Sequence, residues 1–190
     1  KIQHQSVREG FFKKPITTHK VVLEHSEGLI CLAGGFNDAF GALAFSNSLS
    51  SAKRLLNRYS GAFGDSLFIE LPITDDPEQS DVNDKLLSMS FELDLPIVFT
   101  GDVHYLDDLH RSAGHLHMIS QGSGYKNKKK GDLKNTEQYG FRDVLKHRVS
   151  NRAGDLSLRS GKTISSQARM MHPDWPDDVI QAGIDHTAVI

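Results

Sequence analysis

Cysteine is almost absent from this sequence of 190 residues: Cys31 stands alone. One cysteine cannot close an intrachain disulfide, and it excludes a cysteine-cluster zinc site within the chain. It fits a reducing compartment. Long apolar runs are missing too, since none reaches the roughly 18–20 residues that a membrane-spanning helix needs. There is no excess of charge of either sign. Lys and Arg number 22 against 24 Asp and Glu, a formal net charge of −2. A dedicated nucleic-acid module is usually more basic, so any DNA contact is expected to be local or to come from elsewhere in a longer protein. The start, KIQHQSVREG, has neither an initial methionine nor an apolar signal-type stretch. The final HTAVI stops inside an apolar run, so both ends are expected to be cuts. What is present suits a packed core. Hydrophobic residues make up 38% and charged residues 24%, within the globular range, and the length fits one domain or one domain plus the start of a second.

Along the chain, the residues up to about Pro15 are basic and polar, and a short apolar segment begins at Val21 to Leu23. Leu29-Ile30-Cys31-Leu32-Ala33 is a continuous apolar run closed by Gly34-Gly35, which predicts a buried parallel strand. Leu49, Ala52, Leu55, Leu56, Tyr59 and Phe63 recur at three- and four-residue spacing, with Lys53, Arg54 and Arg58 between them. That pattern predicts an amphipathic helix. Leu67 to Leu71 reads as a second buried strand stopped by Pro72. Asp75-Asp76-Pro77-Glu78 is a helix start, with an aspartate cap, proline in the first turn and acids facing the dipole. The helix carries Val82, Leu86, Met89 and Leu93 on one face. Pro96 to Thr100 is a third strand and runs into Gly101-Asp102-Val103-His104. Strand, helix, strand, helix, strand predicts an α/β fold with parallel βαβ units. Three strands cannot close a barrel, so a larger assembly is expected. Beyond His117 the pattern weakens through a basic loop at Lys126–Lys130 and a polar stretch over 133–155. Short helices are expected around Met170, Met171, Val179, Ile180 and Ile184, separated by Pro173 and Pro176.

Asp102 and His104 are the sharpest candidates for chemistry. They follow the carboxyl end of a predicted parallel strand, where α/β folds place ligands and catalytic groups. Two apart on an extended segment, they are expected on one side, and a carboxylate with an imidazole can bind zinc or manganese. The competing reading is a capping aspartate and a surface histidine. Glu70, a charge in an otherwise apolar strand, needs a partner or a solvent-facing place. It is either a third ligand or half of an ion pair. His115 and His117 fall in a predicted helix on different faces and read as structural. Cys31 reads as core packing rather than a nucleophile. The Lys126–Lys130 cluster reads as a solvated loop, with phosphate contact as the alternative.

Several segments in order carry a resemblance. They are Arg8-Glu9-Gly10-Phe11-Phe12-Lys13-Lys14-Pro15, Ser26-Glu27-Gly28-Leu29-Ile30-Cys31-Leu32-Ala33-Gly34-Gly35, and Phe63-Gly64-Asp65 followed by Leu67 to Leu71 and Pro77-Glu78-Gln79. Next come Leu95 to Leu106 and, near the end, Leu158-Arg159-Ser160 with Asp174 to Ile190. Together they resemble the polymerase-and-histidinol-phosphatase (PHP) domain of family C replicative DNA polymerases, of the bacterial polymerase III α-subunit type. The resemblance implies part of a distorted (β/α)7 PHP barrel with metal sites at its strand ends. Residues 1–120 would be the C-terminal half of that domain. Residues 121–190 would be a basic loop and the start of a mainly helical linker to the palm. It implies a remnant zinc or manganese site at Asp102, His104 and Glu70. The catalytic carboxylates and their magnesium would lie in a palm beyond Ile190, so no catalytic residue is expected in this fragment.

The departures from the family pattern point to a degenerate site. Where metal-binding members have histidine or cysteine, Val7 or Arg8, Gly35, and Thr74 or its neighbours stand here. A site stripped of ligands binds metal weakly. The resemblance therefore implies a cytoplasmic replicase subunit engaged in DNA replication. Its partners would be DNA, through the full-length protein, the proofreading exonuclease subunit and other replicase subunits, with no membrane. Its PHP part would be structural and a docking surface. The alternatives are a stand-alone metal-dependent PHP phosphoesterase, which would hydrolyse phosphate esters with metal-activated water, and a PHP-derived binding module without chemistry.

Overall fold

The computed structural model describes residues 1–12, 14–35, 38–107, 110 and 157–190. Helix α1 (Ile2–Arg8) leads into a short antiparallel ribbon, β1 (Phe11–Phe12) with β2 (Lys14–Pro15), and then α2 (His19–Glu24). Three further strands make a parallel sheet in the order β3 (Cys31–Ala33), β4 (Leu67–Pro72), β5 (Ile97–Thr100). Between β3 and β4 run α3 (Ala39–Phe45) and α4 (Leu49–Phe63); α5 (Pro77–Leu93) joins β4 to β5. Two helices, α6 (Gly161–Met171) and α7 (Asp177–Val189), close the described chain. The expected α/β class with parallel strands is borne out. His115, His117, the Lys126–Lys130 loop, the stretch 133–155 and the expected boundary at 120/121 lie outside the described residues.

The period-2 alternation of β4 explains the layering. Leu67, Ile69 and Leu71 point to one face and are fully buried, beside Ala33, Ile97 and Phe99. Ala44, Leu56, Val82, Leu86 and Met89 of the helices join them in one core. The opposite face carries Leu32, Phe68, Glu70 and Thr100, all at least partly exposed. Helix α4 follows the predicted stripe, burying Ala52, Leu56, Tyr59 and Phe63. Helix α5 starts as its sequence dictates: the Asp76 side chain accepts from Glu78 N–H at 2.9 Å, and Pro77 occupies the first turn.

Two strand readings need correction. Only Cys31–Ala33 pairs in β3, while Leu29, Ile30 and Leu32 are 43%, 51% and 37% exposed. Among the described strands β3 stands at the edge of the sheet, and an apolar run alone does not separate edge from centre. Pro72 lies inside β4 rather than after it. Ile69 and Ile73 donate to the carbonyls of Pro96, just before β5, and Thr100, at its end, both at 2.8 Å, so the nitrogen of Pro72 faces the other way. There β3 has already ended, since Ala33 pairs with Ile69, and the missing N–H leaves no ladder bond unmade.

The terminal helices are fixed by specific contacts. At Gly183 of α7 an added Cβ would lie 2.7 Å from the Phe99 ring, so glycine permits this close approach. His186 Nδ1–H and Thr187 Oγ1–H donate to the outward carbonyls of Ile97 (2.7 Å) and Phe99 (2.9 Å). Asp84 on α5 accepts at one oxygen from His172 Nδ1 and from Trp175 Nε1, each at 2.8 Å. The two rings stack with centroids 3.8 Å apart.

Candidate functional site at the strand ends

The three candidate residues lie toward the carboxyl ends of β4 and β5. Glu70 pairs in register with Val98, two residues before Thr100, and its Oε1 accepts from Thr100 Oγ1 at 2.8 Å. This neutral partner answers the question left by a charge within an apolar strand: Glu70 makes no ion pair among the described residues. Gly34 stands across the gap. A Cβ there would meet the carbonyl oxygen of Glu70 at 2.0 Å, so only glycine lets β3 end this close to the site.

Asp102 and His104 come together, although not by strand geometry. Asp102 has φ +46°, in the left-handed region, and the chain turns there instead of continuing extended. His104 Nδ1 lies 2.7 Å from the Asp102 carbonyl oxygen and 3.8 Å from its Oδ1. A proton on Nδ1 donated to that carbonyl leaves the Nε2 lone pair free, the arrangement that suits proton exchange or metal ligation. Both side chains are more than half exposed. Among the described residues, no three of His, Cys, Asp and Glu gather as metal ligands. A structural zinc site takes four protein ligands and a catalytic one three, so the described residues alone do not complete a zinc site.

The residue that fastens this loop was visible in the sequence only within the Leu158-Arg159-Ser160 segment, with no role attached to it. Arg159 Nη2 donates to the carbonyls of Ile73 (2.7 Å), just past β4, and Gly101 (3.0 Å), just past β5; Nη1 donates to Gln167. Beside it, Ser157 pairs with Tyr105 in parallel, and Leu158 N–H donates to Tyr105 O at 2.9 Å. The segment carrying Asp102 and His104 is thus strapped at both ends by residues 157–159. Thr74 Oγ1 and Arg159 Nε are buried in this neighbourhood without a hydrogen-bond partner among the described residues.

A second polar cluster sits at the end of β3. Asp38 caps α3, accepting from Gly34 N–H at 2.7 Å and Gly41 N–H at 2.6 Å. Burial raises its carboxyl above the usual range, and the backbone N–H bonds oppose that rise. Burial also pushes the Cys31 thiol up to about 11, with the Asp38 charge adding to it. A thiol held protonated is a poor nucleophile, in keeping with a packing role for Cys31. Histidine 172, 5% exposed, is lowered by burial against the pull of Asp84.

No family model matches the chain. Curated proteins do. The DNA polymerase III subunit alpha of Aquifex aeolicus is 29% identical over 121 residues, which is 64% of this chain and 10% of that protein. That of Thermus aquaticus is 35% identical over 98 residues, 52% of this chain and 8% of the relative. That of Caulobacter vibrioides is 33% identical over 92 residues, 48% and 8%. The chain therefore spans about a tenth of the length of these relatives. The resemblance to polymerase III α subunits read from the motifs is borne out: over about half to two thirds of its length, this chain is similar to the DNA polymerase III α subunits of several organisms.

Proposed function

We propose that the chain is part of a replicative DNA polymerase α subunit, and that its strand-end site is a remnant with a structural role. The similarity to polymerase III α subunits carries this reading. On it, β3 to β5 are later strands of a (β/α)7 PHP barrel completed by other parts of the parent protein. Template-directed synthesis, with its magnesium ions, belongs to a palm elsewhere in that protein. The parent works in the cytoplasm on DNA, with a proofreading exonuclease and other replicase subunits docked on it. Two exposed donors at Asp102 and His104, with Glu70 bonded to Thr100, support weak zinc or manganese binding at most.

The test belongs on the full-length protein. Asp102→Ala and His104→Ala should leave primer extension nearly unchanged, with any loss tracking thermal stability, and metal content after dialysis should be well below one equivalent. Stoichiometric zinc or manganese, lost in either variant together with a phosphatase or 3′-exonuclease activity, would make the site catalytic and overturn the remnant reading.

A further inference from the structure

Helix α4 buries one side fully, and a second, partly exposed stripe flanks it, with Leu55 half-buried at the border of the core. Ala52, Leu56, Tyr59 and Phe63 face inward. Ser51, Arg54, Leu55 and Arg58 stand at i, i+3, i+4 and i+7, a single stripe on another side. Across from this stripe lies Leu43 of α3. Between them is an open groove of about 360 Å³, lined by Leu43, Ser51, Arg54, Leu55 and Arg58. That is near the lower end of the roughly 300–1,000 Å³ span of ligand pockets, room for an apolar side chain or two rather than a large cofactor.

The charge around this groove is one-sided. Arg54 is held only by Ser51 Oγ, at 3.0 Å, and Arg58 has no hydrogen bond or ion pair among the described residues. The third cation of the helix, Lys53, is already taken by Glu92. Both guanidiniums are exposed and one turn apart. Each can take a carboxylate through two parallel N–H bonds. In a chain of net charge −2, two unpaired arginines over a leucine floor form a local feature.

We propose that this groove docks an acidic peptide segment of another protein, one that places an aliphatic or aromatic side chain between Leu43 and Leu55 and carboxylates on Arg54 and Arg58. Charge complementarity selects the acidic partner. The leucine floor argues against a nucleic-acid backbone, which would use the cations and leave Leu43 and Leu55 idle. Buried anchors flanked by charge pairs are the common pattern of peptide recognition, with the anchor supplying affinity and the charges register.

The test is selection of random twelve-residue peptides displayed on phage against the full chain, followed by fluorescence anisotropy with the selected peptides. The expected consensus pairs Asp or Glu with Leu, Ile, Phe or Trp within about one helical turn. The Arg54→Glu/Arg58→Glu double variant, altered only at exposed positions, should keep the wild-type melting temperature and lose binding at least tenfold. Replacing the apolar anchor of the peptide by alanine should cost a similar factor. The proposal is overturned if no acidic–apolar consensus emerges or if the double variant binds the selected peptides as wild type does. It also fails if single-stranded DNA or polyphosphate displaces them at equal concentration with no dependence on the anchor.

Discussion

Arg159 donates through Nη2 to the carbonyl oxygen of Gly101 at 3.0 Å, 58 residues away in sequence, and the same nitrogen reaches Ile73 at 2.7 Å. One guanidinium therefore ties the ends of two neighbouring parallel strands. Hydrogen bonds to a charged group contribute roughly 1.5–3 kcal/mol. Arg159→Ala should destabilise the protein by about that amount in urea unfolding. Arg159→Lys, which keeps the charge but not the fork, should fall between. Equal stability of all three forms would mean that the strap carries no load.

Cys31 offers a clean chemical probe because it is the sole cysteine. With its thiol pushed up to about 11, the thiolate fraction at pH 8 is roughly two-hundredfold below that of an ordinary thiol near 8.5. Iodoacetamide should label native protein more slowly than urea-unfolded protein, on the order of a hundredfold or more. Asp38→Asn, which removes the neighbouring charge, should speed the native reaction. Labelling at the unfolded rate would refute the buried, protonated thiol.

Burial lowers the His172 pKa below its usual value near 6.5. The folded state then favours neutral imidazole, and the unfolded chain binds the proton more readily. The contribution of this group is fully present above about pH 6.5 and is lost as pH falls from there through the depressed folded value. The stability advantage of wild type over His172→Phe should shrink between pH 7.5 and 5. An advantage that is constant, or larger in acid, would reverse the assigned shift.

Gly183→Ala should destabilise even though alanine is the better helix former by about 1 kcal/mol. Its Cβ would lie 2.7 Å from the Phe99 ring, and overpacking costs about 1–3 kcal/mol. In the Gly183→Ala/Phe99→Leu double variant the two losses should be less than additive, measured by chemical denaturation. Strict additivity would mean that the helix moves away as a body.

Much of the fold was legible because its signals are local. Asp76-Pro77-Glu78 marks the start of α5, and the spacing from Leu49 to Phe63 marks α4. Apolar content alone misjudged β3: Leu29 and Ile30 read as buried strand residues, but they precede the paired residues Cys31–Ala33 and stand in solvent. At the site, Asp102 and His104 were visible as residue types near a strand end. Their approach through a left-handed turn was not: Asp102 has a positive φ in a loop whose flanks, Gly101 and Tyr105, are tied to residues 157–159 far along the chain. Arg159 was visible only as part of the Leu158-Arg159-Ser160 segment of the resemblance, and its strapping role left no signal. Its partners are main-chain carbonyls, which every residue has, and sequence spacing carries no record of them.

Helix α7 also decides how the sheet can grow. His186 and Thr187 occupy the carbonyls of Ile97 and Phe99 that a further strand beside β5 would need. That border is sealed by side chains, a common defence against unwanted strand pairing. The opposite border, β3, has no described neighbour beyond it and ends beside exposed Leu29 and Ile30. Among the described residues the two borders therefore differ: a strand added beside β5 would require α7 to let go of the carbonyls of Ile97 and Phe99, whereas at β3 no described element stands in the way.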